Sequence, residues 1–219
     1  MSQETQASFV TPLHQRTWKV LLLSLLVGLV IGGLTFVLQG LLPDGVIQVA
    51  NSGAVWSVVA FVIGRRVHSW KIAVVGGALA LIGEVFGYYA IAYVSNLVEL
   101  STGSLAVIGV WMLIACIAGP LFGAGGYWSV HGTGRLQQLA TASLGAIFIG
   151  EGLYLMSVLP TIATGLLWFA IAAVITLVLT WNNRARLQIW LLTLALGLVF
   201  FACEQLLVLL DTFRSQIFT

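Results

Sequence analysis

The chain has 219 residues, 60% of them hydrophobic and only 7% charged, with a formal net charge of +2. So little polar surface cannot coat a soluble globule, which excludes a water-soluble enzyme and specifies an integral membrane protein. The small excess of lysine and arginine is a topology signal and gives no reason to expect a nucleic-acid partner.

Residues 1–17 are polar and carry no small-residue cleavage site, and the apolar run that follows is too long for a signal-peptide core. They are expected to stay as a cytoplasmic segment ahead of a retained helix. A bilayer crossing needs about 20 mostly apolar residues. Seven stretches qualify, at roughly 18–40, 46–64, 71–96, 104–127, 137–159, 161–181 and 187–210. The chain therefore reads as one all-α domain, a polytopic transmembrane helix bundle with a short external tail at 211–219.

In chain order, the first span carries Gly28 and Gly32, whose spacing lets a neighbouring helix approach closely. The second opens on Asn51-Ser52-Gly53, a polar start suited to packing or to ligand contact, and continues to Trp56. On the third, Gly77, Ala80, Glu84, Gly87, Tyr88 and Ile91 follow at helical spacing, so Glu84 shares a face with small residues and a tyrosine. The fourth holds Trp111, Gly119, Gly123 and Pro120, which removes a ladder hydrogen bond and predicts a kink. The fifth places Tyr154 three residues beyond Glu151. The sixth contains Trp168 and the seventh Glu204. Cys116 and Cys203 fall inside spans, where a thiol is expected as an apolar filler and not as half of a disulfide.

Arg16, Lys19, Arg65, Arg66, Lys71, Arg135, Arg184 and Arg186 lie before the first span or after the second, fourth and sixth, with only Arg214 at the other end. Loop lysine and arginine mark the cytoplasmic side, so the amino terminus is expected inside and the carboxyl terminus outside. Trp18, Trp70, Trp128, Trp181 and Trp190 flank the same basic loops as an interfacial belt.

The spans also repeat. Trp56-Ser-Val-Val-Ala60, Trp111-Met-Leu-Ile-Ala115 and Trp168-Phe-Ala-Ile-Ala172 are each followed by a basic loop and a helix bearing a glutamate. This pattern suggests a leading helix and three parallel hairpins about an axis along the membrane normal.

Glu84, Glu151 and Glu204 demand the most explanation. A carboxylate in hydrocarbon costs several kcal/mol unless it faces protein or a water-filled cavity. No lysine, arginine or histidine lies deeper than the first two residues of a span to neutralise it, so a proton, a metal ion or an organic cation must do so. At about 1.5 Å per residue, Glu84 lies near the midplane and Glu151 and Glu204 nearer the outer face, level with Asn51 and Ser52. Trp56, Trp111 and Trp168, with Tyr88 and Tyr154, are the aromatic candidates to wall a cation pocket there. Equally open from the residues alone, the carboxyls stay neutral and hydrogen-bond neighbouring helices, and the tryptophans pack or face lipid.

No zinc-protease motif, phosphate-cradling loop or nucleophile elbow is present, and His14, His68 and His131 are all on the basic side. No cofactor is expected, and the identity of any metal is open.

The stretch Val49-Ala50-Asn51-Ser52-Gly53-Ala54-Val55-Trp56, with Gly-Tyr-Tyr at 87–89, resembles a family of small bacterial multi-pass membrane proteins of unknown function, which has proline where this chain has Val55. The resemblance covers mainly residues 46–96 and implies a bacterial inner-membrane location without implying an activity. The architecture is also similar to the substrate-binding membrane subunits of energy-coupling-factor vitamin importers, although those have six spans. The expected function is capture of a small cationic or protonatable solute in an outward-facing pocket, by a transporter or transporter subunit. The expected partners are membrane lipids and the solute, with a second copy of the chain or an ATPase as further options. The alternatives are an intramembrane enzyme acting on a lipid or polyprenyl substrate and a non-catalytic scaffold.

Overall fold

In hydrocarbon every backbone N–H and C=O must be satisfied within the chain, which leaves the helix as the form for these apolar runs. The computed structural model describes residues 13–43, 46–99, 101–159 and 162–217, with the side chains of 13–16, 51, 207 and 210–217 outside the description. It contains α1 (Leu13–Gln39), α2 (Gly53–Arg66), α3 (Trp70–Val94), α4 (Thr102–His131), α5 (Gly134–Val158), α6 (Ile162–Thr180) and α7 (Arg186–Ile217), with a 3-10 helix at Ile47–Asn51 and no strand among the described residues. α7 continues through residues expected to be tail, and α4 runs through Pro120 as one helix.

Six of the seven helices are long and apolar enough to cross a membrane. The exception is α2, whose 14 residues span about 21 Å, short of the ~30 Å hydrocarbon core. The second apolar stretch was expected as one run over 46–64. It breaks instead at Ser52, whose extended backbone (φ −111°, ψ 123°) and hydroxyl, accepting from Val55 N at 3.1 Å, form a helix N-cap. Local capping chemistry prevails over the hydropathy of the run, and α2 begins inside the bundle.

The helices form two groups. α1 packs along α3 and α3 along α4, and α2 rests on both α3 and α4. Glycines set these approaches: Gly28 and Gly32 lie against the backbone of Ala80 and Glu84, and Gly119 and Gly123 lie against Gly77 and Ala73. A side-chain carbon added at any of these four would collide with backbone atoms. The small-residue face expected on the third span is thus its contact surface on both sides. In the second group α6 and α7 both lean on α5 and scarcely touch each other. The recurring sequence segments therefore do not fold as three equal hairpins. The two groups meet along α4 and α5, with a smaller contact between α2 and α5.

Large apolar side chains such as Val30, Leu113, Ile117, Val178 and Leu198 cover the outside, as lipid contact requires. Cys116 and Cys203 are free and also face outward, so neither fills the core. Trp18, Trp70 and Trp181 are exposed at the end that carries the basic loops. There Lys19 and Lys71 place their ammonium groups 6.0 and 5.9 Å from the rings of Trp18 and Trp70.

Candidate ligand-binding cavity between the helix groups

The first N–H groups of any helix lack intrahelical partners, and in α2 these groups are buried. Val55 N–H goes to the Ser52 hydroxyl, and Trp56 N–H to the Ser52 carbonyl at 3.1 Å. Ala54 N–H donates to Glu151 Oε2 of α5 at 2.8 Å. A carboxylate on a helix N-terminus meets both a hydrogen-bond donor and the positive end of the helix dipole. Ser52 and the Trp168 indole stand beside the same carboxyl, with the indole Nε1 short of hydrogen-bonding geometry.

Glycine on either side of Glu151 brings the neighbouring helices to this level. A side-chain carbon at Gly152 would lie 2.9 Å from Trp168 Cβ, and one at Gly150 would lie 2.6 Å from Phe200 Cβ. Phe200 is one turn before Glu204, so α7 delivers Glu204 to the place where α6 delivers Trp168. Glu204 is within electrostatic range of Glu151, and its Oε2 is buried without a hydrogen-bond partner.

Both carboxyls line a cavity of about 530 Å³ between the two helix groups. Trp56, Trp111 and Tyr154 contribute aromatic surface. Leu81, Val85, Ile114, Ala115, Ala118, Ile147 and Leu155 make most of the rest apolar, and Gln48 and Ser57 add polar groups. No lysine, arginine or histidine is among the described lining residues. Trp56 and Trp111 touch with ring centroids 5.9 Å apart. Glu151 lies 17 residues into α5, about 26 Å from its start, so the cavity occupies the half of the bundle remote from the basic loops.

Of the residues singled out in the sequence, Glu151, Glu204, Trp56, Trp111 and Tyr154 converge here. Ser52 and Trp168 support Glu151 from behind. Tyr88 does not reach the cavity. Its ring packs against Trp56 at 6.0 Å and Phe36 at 5.2 Å, and its hydroxyl donates to Gln39 Oε1 at 2.7 Å. Glu84 is also elsewhere, fully buried beside the α1 contact, with neither carboxyl oxygen hydrogen-bonded. The side chain of Asn51 lies outside the described residues. Among the described residues no three His, Cys, Asp or Glu side chains gather to hold a metal ion.

The sequence matches a family of unknown function (DUF6518) over residues 11–212. The chain belongs to that family. The match takes in all of the cavity-lining residues, well beyond the stretch at 46–96. No curated protein and no solved structure matches the chain.

Sequence reading missed Gln48 and the backbone of Ala54. Gln48 was visible as an amide inside an apolar run. The role of Ala54 N–H had no side-chain signal beyond the capping serine two residues before it.

Proposed function

We propose that this member of DUF6518 is a bacterial cytoplasmic-membrane protein that binds a small cationic or protonatable solute in the cavity between its helix groups, as a transporter or the membrane subunit of one. The observation that carries the reading is the pairing of Glu151 and Glu204 in an aromatic-walled cavity whose described lining has no basic side chain. Two carboxyls in apolar surroundings ionise only where positive charge stands beside them, which is what a bound cation supplies. Indole and phenol faces attract the same ligand, each contributing about 0.5–2 kcal/mol according to how dry the site is. A seam between two packed groups is also where a cavity can open to alternate sides. With the basic loops cytoplasmic, the cavity lies in the outer half of the bilayer.

Equilibrium binding of a panel of cations to purified protein tests this. The panel should include alkali and divalent metal ions, alkylamines and quaternary ammonium ions. At least one class should bind to wild type and lose affinity tenfold or more in the Glu151→Gln, Glu204→Gln double variant. Binding by no member of the panel would overturn the reading and leave the enzyme and scaffold alternatives.

A further inference from the structure

The two carboxyls of the cavity are not equivalent. Resting on the reading of the cavity as a cation site, we infer that Glu151 is a structural acceptor anchoring the N-terminus of α2, whereas Glu204 exchanges one proton for one monovalent organic cation. The asymmetry is geometric. Glu151 Oε2 already accepts Ala54 N–H at 2.8 Å at the positive end of α2, so this carboxyl is committed to a structural contact. Glu204 Oε2 has no such partner, and no basic side chain is among the described lining to balance a charge on it. Across the cavity it faces Glu151 and Tyr154 of α5; α6 carries no titratable residue, and no charged residue of α2, α3 or α4 is among the described lining.

The cavity surface selects the kind of cation. A dehydrated alkali or divalent ion needs about six oxygen ligands at close range. Here one Glu151 oxygen is already engaged and the Ser57 hydroxyl donates to Gly53 O, while Trp56, Trp111 and a run of aliphatic side chains form most of the wall. That surface suits an ion whose charge is surrounded by carbon. Of the two carboxyls only Glu204 presents a buried oxygen without a protein partner, so one positive charge is matched. The step balances: neutral Glu204 loses its proton to water as the cation arrives, and regains it as the cation leaves.

Calorimetric titration with tetrapropylammonium, which has no proton of its own, tests the inference. Running it at about pH 6 in two buffers of different ionisation enthalpy counts the protons released. Wild type should release close to one proton per cation bound. Glu151→Gln should bind more weakly but still release one proton for each cation that binds, and Glu204→Gln should release none. If the glutamine variant at 204 fails to fold, Glu204→Asp keeps the carboxyl and should keep the release. Binding without proton release, or release that disappears with Glu151 in place of Glu204, would overturn the exchange and leave the cation site standing. Binding of sodium or magnesium but not tetrapropylammonium would overturn the organic-cation assignment alone. Binding of none of these, with the wider panel also silent, would remove the cation site itself.

Discussion

Ala54 N–H and Glu151 Oε2, 97 residues apart in sequence and 2.8 Å apart in space, join the buried start of α2 to the far half of α5. This hydrogen bond crosses the seam between the two helix groups and fixes one wall of the cavity. Glu151→Leu leaves the amide buried and unsatisfied and should destabilise the protein by about 1–3 kcal/mol. Glu151→Gln retains a carbonyl acceptor and should lose less. Thermal unfolding of the two variants in the same detergent measures the difference, and equal melting temperatures would show that the bond contributes nothing.

Glycine-to-alanine substitution should change sign with position. At Gly32 the added carbon meets the backbone of Glu84 and has nowhere to go, so overpacking of about 1–3 kcal/mol or more is expected. At Gly109 nothing lies within 4 Å. There alanine should stabilise α4 through helix propensity by about 0.5–1 kcal/mol. Melting temperatures that move the same way in both variants would contradict the α1–α3 packing.

Tyr88→Phe removes the hydroxyl that holds Gln39 Oε1, while Gln39 Nε2 in turn lies 3.5 Å from the Ala50 carbonyl. The direct loss should be about 0.5–1.5 kcal/mol. Its sharper signature is local, since amide hydrogen exchange should rise at Ile47–Asn51 while the centre of α3 stays protected. Uniform exchange in the two proteins would argue against a tie between α1, α3 and the 3-10 segment.

Orientation is open to direct labelling. With Cys116 and Cys203, both outward-facing, replaced by alanine, His68→Cys and Ser95→Cys each place one thiol at an exposed position. In intact cells a membrane-impermeant maleimide should label Ser95→Cys and spare His68→Cys, as the basic loops predict. The reverse pattern would put the cavity in the inner half of the bilayer.

The sequence made the helical class and the glycine contacts plain, because both follow from local composition and spacing. Gly28 and Gly32, or Gly119 and Gly123, need only sit on one face of their own helices to announce a close neighbour. Hydropathy read the second stretch as one span because Asn51 and Ser52 are too few to interrupt a windowed average, yet a serine N-cap acts through geometry at one residue. The convergence of Glu151 with Glu204, and the separation of Glu84, were illegible for a different reason. Each glutamate lies in a similar apolar run, and which helices meet is settled by packing between segments that helical periodicity cannot pair.

The helices that meet lipid differ widely in length. α6 has 19 residues and α4 has 30, or about 28 and 45 Å at 1.5 Å per residue. Around a hydrocarbon layer of ~30 Å, α6 just fits upright, while α4 must lean or project beyond it. Because α4 supplies Trp111, Ile114, Ala115 and Ala118 to the cavity, its tilt helps set the distance between Trp111 and the carboxyls of α5 and α7. A change of acyl-chain length that alters the tilt of α4 should therefore alter the shape of the cavity.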